Sequence, residues 1–313
     1  MNKAIGIFSI YGDLHAHVIR HELQTKYNTA VFVFEVDQIA GSNNYNLFTD
    51  SDNCNHLSIT DSSGETISIN YLDKIWWRRR AKVQNYTNSI SDESHKDLIN
   101  NDTYDALNGG LTSVFEGEWV NGINETEIAS NKLIQTKIAR ECGFNIPKTI
   151  ITQSTERLID FVSSIDSGVI VKPMRGTKKS ALRAVKLYKD NIQHDLDISS
   201  CPTMYQEYIE GTRHYRVHCF GSNIITVLIE TEQVDWRSLT NCKFKGCKLP
   251  QEIEEKIKKF LDLMNLKMGV IDIKQSSDGE FYWLEINPQG QFLFWEPLIK
   301  NNLSNHFCEF LIQ

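Results

Sequence analysis

The chain has 313 residues, of which 41% are hydrophobic and 23% charged, and its formal net charge is −7. That is a globular composition, long enough for two or three lobes with cores of their own. The acidic balance excludes a general nucleic-acid binder, which carries a basic face, and no run approaches the roughly 18 apolar residues of a membrane span. The start, "MNKAIGIFSIYGDLHAH", lacks the long apolar region of a signal peptide. Seven scattered cysteines are expected as the reduced thiols of a cytoplasmic protein. Cys242 and Cys247 could be half of a zinc site, but no second pair is near.

Residues 4–10, "AIGIFSI", read as a buried strand, Leu14 to Tyr27 as a helix and 30–36 as a second strand, the β-α-β order of an α/β lobe. Within the helix, His15, His17 and His21 include a pair at metal-ligand spacing. No cysteine or carboxylate completes the set, so surface histidines are expected. The segment "YLDKIWWRRR" ends a strand in Arg78, Arg79 and Arg80, which either grip phosphate or carboxylate in bidentate forks or solvate a strand end. Residues 81–110 are polar and should form helices and loops, with a break at Asn108-Gly109-Gly110.

From 125, the spacing of Ile128, Leu133, Ile134 and Ile138 predicts a helix that stops at Gly143 and passes through Pro147 into a strand. Next, "GVIVK" delivers Lys172 to a loop carrying Arg175, Lys178, Lys179 and Arg183. That loop is either a cover for a triphosphate or a solvated hairpin tip. "QEYI", residues 206–209, could present backbone N–H and C=O groups to a flat base, with Arg213 and Arg216 supplying charge. Residues 249–265 form an amphipathic helix whose Ile253, Ile257, Phe260, Leu261 and Met264 are core.

The segment "MGVIDIKQSSDGEFYWLEINPQGQF" is the most informative. Asp278-Gly279 predicts a two-residue hairpin turn. The register this sets puts Asp272 directly opposite Glu285, with Cβ atoms about 5 Å apart. Alternation puts Phe281, Trp283, Glu285 and Asn287 on a site face and Tyr282, Leu284 and Ile286 on a core face. Two facing carboxylates repel, so a cation is expected between them, and with the Asn287 amide oxygen they are hard donors suited to Mg²⁺.

The order of these features resembles the ATP-grasp ligases. It comprises Lys132 before a helix, Lys172 before a loop, "QEYI", Arg216, and then Asp272, Glu285 and Asn287. "IWWRRR", "DWR" at 235–237, "KLP" at 248–250 and the closing Gly290-Gln291 further resemble the microviridin-type graspetide synthetases. The resemblance implies an α/β protein of α+β lobes: an N-terminal α/β domain (1–122), a central lid subdomain (123–205) and a C-terminal antiparallel-sheet subdomain (206–313). It implies ATP and Mg²⁺ as cofactors. Lys132 and Lys172 would contact phosphates, Gln206, Glu207, Tyr208 and Ile209 the adenine, and Asp272, Glu285 and Asn287 the metal. Arg216 and Arg237 would be the catalytic cations.

The substrate so implied is a precursor peptide with a leader and an acid- and Thr-rich core, modified by a cytoplasmic homodimer that uses neither nucleic acid nor membrane. The resemblance also admits a ligase acting on a free amino acid or peptide terminus, or an ATP-binding regulator without turnover. Two positions depart from the pattern: His214 stands where an Asp usually meets ribose, and the loop after Lys172 has only Gly176.

Overall fold

β1 (Ala4–Ser9) is buried along its whole length, as a central parallel strand covered on both faces must be. Asp13 caps α1 (Leu14–Tyr27) by accepting a hydrogen bond from His15 N, and β2 (Ala30–Glu35) returns beside β1. β3 (Tyr45–Thr49), β4 (Asn55–Thr60) and β5 (Thr66–Ser68) make a small antiparallel sheet. β6 (Lys74–Trp77), α2 (Glu93–Val114) and β7 (Glu118–Val120) follow, and a parallel sheet of order β2-β1-β6-β7 results. In this computed structural model residues 4–39, 45–52, 54–79, 92–175, 185–189, 192, 198–238 and 241–313 are described. Arg80, Gly176, Lys178, Lys179 and Arg183 lie outside them.

The break expected at Asn108-Gly109-Gly110 does not occur, because α2 runs through it. Gly110 is needed for close approach instead: a Cβ there would lie 2.2 Å from Tyr45 Oη. The helix expected from 125 is two helices, α3 (Ile123–Ala129) and α4 (Lys132–Glu141). Asn131 divides them, its side chain accepting from Leu133 N and Ile134 N as the cap of α4. The division leaves Ile128 and Leu133 on the surface, while Ile134 and Ile138 pack on the core.

β8 (Thr149–Thr152), α5 (Thr155–Ser163), β9 (Val169–Lys172), β10 (Val185–Leu187) and β11 (Thr203–Glu207) form an antiparallel sheet of order β10-β9-β11-β8 with its own small core. The last part comprises β12 (Arg213–Phe220), β13 (Asn223–Glu230), β14 (Lys243–Cys247), α6 (Gln251–Leu263), β15 (Met268–Gln275), β16 (Phe281–Asn287), α7 (Glu296–Ile299) and α8 (Leu303–Ile312). Its five-stranded antiparallel sheet runs β14-β13-β12-β15-β16.

One face of that sheet packs α6 and α4 over Val217, Ile271, Ile273 and Trp283, and the expected α6 residues are all buried there. The other face changes character along its strands. At one end Phe220 and Met268 join the parallel sheet, Phe292, Trp295 and Phe307 in a single apolar core. At the other end Asp272 and Lys274 turn toward the β8–β11 sheet and line an open cleft.

Candidate active site

The cleft has a volume of about 640 Å³ and takes Ile170 and Lys172 from β9, Gln206 from β11 and Asp272 and Lys274 from β15. Each strand pair is two residues apart, so strand alternation delivers both members to one face. Lys172 Nζ donates to Gln206 Oε1 at 2.6 Å, and Gln206 Nε2 donates to Thr149 Oγ1 at 3.0 Å, which fixes the amide between two strands. Burial pushes Lys172 down to about 8, against the attraction of Glu285. At the end of β11, Glu207 N and Tyr208 N donate to Lys148 O and Gly168 O at 2.8 and 2.9 Å. The Ile209 N–H is left without a partner among the described residues, at the edge of the cleft.

Asp272 stands opposite Glu285 in the β15–β16 ladder, as expected, but by a different route. Ser276 N donates to Glu280 O and Gly279 N to Ser276 O, so the loop has three residues rather than two, closed by Gly279 at φ +96°. That shifts the register by one. A bulge at Leu284 shifts it back, since Ile273 pairs with Trp283 while Asp272 pairs with Glu285. The expected facing is therefore corrected: Trp283 is buried against α6 with Phe281 beside it, and Leu284 lines the cleft with Glu285.

Each acid of the pair meets a cation. Arg216, paired with Asp272 across β12–β15, approaches its two oxygens through Nη1 at 3.0 and 2.8 Å. Lys132, the first residue of α4, lies 3.1 Å from Glu285 Oε2 and donates to Pro173 O at 3.1 Å. Burial and the neighbouring Glu285 raise Asp272 above the usual carboxylate range, against Arg216. Burial acts the same way on Glu285, but Lys132 and Lys172 outweigh it and hold that carboxyl low. Asn287 Oδ1 accepts from Gln289 N at 2.9 Å.

These three side chains line one open basin. Each carboxylate has about four acceptor positions and an amide oxygen two, so donors remain after the bonds above. Two carboxylates and an amide oxygen, with room beside them for water and phosphate, fit Mg²⁺. Among the described residues no group of three His, Cys, Asp or Glu could hold a metal.

The basin shares Trp236, Arg237, Asp272 and Glu285 with the cleft. Arg237 is aimed by a fork from Nε and Nη2 onto Asp235 at 2.8 Å each. Arg79 and Arg175 also line the basin. All eleven expected site residues thus fall in one region: Lys172, Gln206, Glu207, Tyr208, Ile209, Arg237, Asp272 and Glu285 on the cleft, Arg216 and Asn287 on the basin, and Lys132 against Glu285. Arg213 does not join them and pairs with Glu230 at 3.4 Å.

Sequence reasoning missed Lys274, although it stands two residues from Asp272 on the same strand and alternation alone could have found it. Its Nζ lies 3.2 Å from His214 Nε2 and 4.6 Å from the Tyr208 ring centroid. Burial and Lys274 push His214 down to about 3, so its imidazole is neutral and serves Lys274. His15 is corrected as well. It is buried rather than superficial, and its Nε2 accepts from Phe292 N at 3.0 Å and Leu293 N at 3.3 Å.

A family model described as ATP-grasp domain matches residues 129–291. The chain belongs to the ATP-grasp family. Within this ATP-grasp chain the match spans every expected site residue, from Lys132 to Asn287. Over 99% of both chains it is similar, at 21% identity and a TM-score of 0.85, to the macrocyclase MdnC from Microcystis aeruginosa, solved bound with its precursor peptide MdnA. A RiPP-associated ATP-grasp ligase of Chryseobacterium gregarium, in complex with ADP and a leader and core peptide, is similar at 24% identity and TM-score 0.85, over 99% of this chain and 96% of that one. The alpha-aminoadipate–LysW ligase LysX of Sulfurisphaera tokodaii is 22% identical over 219 residues, 64% of this chain and 76% of its own. These similarities agree in the α/β ATP-grasp fold. Among the described residues no helix is long and apolar enough to cross a membrane.

Proposed function

We propose that the chain is an ATP-dependent ligase that activates Asp or Glu side-chain carboxylates of a ribosomal precursor peptide. It closes them onto Thr or Ser hydroxyls or Lys amines, giving macrocyclic esters or amides. The observation that carries this reading is the shared wall: Trp236, Arg237, Asp272 and Glu285 border both a narrow cleft and a wide, arginine-lined basin. A nucleotide in the first and an acidic peptide in the second would meet at that wall.

In this reading Ile209 N–H and the Glu207–Tyr208 backbone hold the base between Ile170 and Leu284, while Lys172 and Lys132 bind phosphates. Gln206 keeps the Lys172 ammonium in place. Asp272, Glu285 and Asn287 would hold Mg²⁺, which would supply positive charge to offset that of the nucleotide phosphates. A peptide carboxylate oxygen attacks the γ-phosphorus, the bridging oxygen departs with ADP, and an acyl phosphate forms. A hydroxyl or amine then attacks the acyl carbon, phosphate leaves with the attacking group's proton, and the net change is one water lost. Arg216 and Arg237 stabilise the acyl phosphate, and the buried Nε of Arg216 still lacks a hydrogen-bond partner among the described residues. No protein nucleophile is required.

Residues 1–122 are assigned as the wall behind the basin, 123–205 as the lid and 206–313 as the floor of the nucleotide site. The cytoplasm, with its ATP and reducing poise, suits a chain of seven scattered cysteines. The test is incubation with a short acid- and Thr-rich peptide encoded beside the chain, with ATP and Mg²⁺. Mass spectrometry should find ATP-dependent loss of whole water masses, and an unchanged peptide mass overturns the reading.

A further inference from the structure

We propose that Arg79 binds a second carboxylate of the peptide, one that is not being activated, so that the basin reads a pair of acids rather than one. This assignment rests on the peptide-ligase reading above and deepens it.

Arg78 and Arg79 follow β6 and both donate their backbone N–H to Phe8 O, at 2.9 and 3.1 Å. Both guanidiniums also meet one carboxylate oxygen, Asp13 Oδ2, with Nε at 3.3 and 3.4 Å. Ser9 Oγ donates to the same oxygen at 2.6 Å. One carboxylate against two guanidiniums leaves a net positive charge. Arg78 cannot present it, being fully buried with its Nη1 bonded to the Gln289 carbonyl. Arg79 can, because its side chain is 34% exposed and lines the basin.

The other basin arginines have a carboxylate each. Arg175 holds both oxygens of Glu127 at 2.7 and 3.0 Å, Arg237 is forked onto Asp235, and Arg216 is held by Asp272. Among the described residues Arg79 is therefore the basin arginine whose charge is shared out rather than matched. Its aim is set by Asp13 and the Phe8 carbonyl, so little side-chain freedom is lost on binding, and a planar fork suits a carboxylate. The same fork would also suit a phosphate. Arg79 borders the basin and not the cleft, whereas Arg237 borders both, and that favours the peptide over the nucleotide.

The experiment measures first-ring formation by wild type, Arg79→Gln and Arg79→Glu on the precursor and on versions with single Asp→Asn or Glu→Gln replacements. ATP affinity and unfolding midpoints are measured on the same preparations. For wild type, one replacement away from the reacting acid should raise KM about tenfold, as for loss of one charge-assisted bond. Arg79→Gln should raise KM about tenfold on the parent peptide and add no further penalty with that replacement. Arg79→Glu should be rescued when the same acid is replaced by Lys. Additive penalties, or an unchanged KM, overturn the assignment while leaving the ligase reading intact. A tenfold loss of ATP affinity in Arg79→Gln overturns it in favour of a phosphate contact. A wild-type chain that modifies none of the peptides overturns both.

Discussion

Asp272 and Glu285 face each other across the β15–β16 ladder, yet each leans on a different cation, Arg216 at 2.8 Å and Lys132 at 3.1 Å. The two acids are held differently: Lys132 and Lys172 keep the Glu285 pKa low, whereas burial and Glu285 raise that of Asp272 against Arg216, and the contacting cations come from different elements, β12 and α4. Replacing Glu285 by Gln keeps an oxygen for Lys132 but removes a charge from the proposed Mg²⁺ donor set. Glu285→Gln is expected to lower ring formation at least about a hundredfold, with an unfolding midpoint close to wild type. Mass spectrometry of the peptide and thermal unfolding check the two halves.

If Lys172 contacts the nucleotide phosphates as proposed, it makes that step sensitive to pH. Burial lowers it from 10.5 to about 8, so the folded chain gives up this proton more readily than the unfolded chain. Between about pH 8 and 10.5 the unfolded state binds more protons, and this group makes stability rise with pH there. The sign is opposite for ATP. A phosphate favours the ammonium, so binding takes up a proton once the free enzyme has lost it, and affinity should fall by up to about tenfold per pH unit above pH 8. Calorimetry in buffers of different ionisation heat measures the uptake. Lys172→Ala should bind ATP at least about tenfold more weakly, about 1.4 kcal/mol, and lose the pH dependence.

The pairing of Asp272 with Glu285 was legible in the sequence, but through two local errors that cancel. A three-residue loop and a bulge at Leu284 each move the strand by one, and no residue pattern in "DGEFYWLEIN" distinguishes that pair of shifts from none. The facing of Phe281 and Trp283 was lost for the same reason, since one inserted residue reverses every side chain beyond it. Periodicity did carry α1, α6 and the lysine strand β9, where local pattern and tertiary burial agree. It failed at Asn108-Gly109-Gly110 because a glycine needed for close packing and one that ends a helix look alike in sequence. His15 was misjudged because its partners, Phe292 N and Leu293 N, are nearly three hundred residues away in the chain.

The two glycines of α2 should respond in opposite directions. Nothing lies within 4 Å of a Cβ built on Gly109, so Gly109→Ala should stabilise the chain by up to about 1 kcal/mol through helix propensity. At Gly110 the same gain competes with a contact of 2.2 Å to Tyr45 Oη, which is itself bonded to Ala106 O at 2.7 Å and is not free to swing away. Overpacking costs about 1–3 kcal/mol and should win, so Gly110→Ala is expected to destabilise. Urea unfolding of the two variants decides it, and equal shifts would mean that Tyr45 yields without cost.

Arg237 separates geometry from charge at the wall between cleft and basin. Its fork onto Asp235 uses Nε and Nη2, both at 2.8 Å, and that bond raises its pKa further, outweighing burial, which lowers it. Lysine keeps the charge but is a point donor on a flexible stem, and cannot be aimed by a two-pronged contact. If Arg237 stabilises the acyl phosphate, Arg237→Lys should lower kcat about tenfold or more while KM for ATP changes little, because a lost transition-state contact acts on kcat and a lost ground-state contact on KM. Asp235→Asn, which leaves the guanidinium in place but loosens its aim, should show a smaller fall of the same kind. Steady-state kinetics at saturating peptide measures both, and a rise in the KM for ATP with kcat unchanged would move Arg237 from the reacting group to the nucleotide.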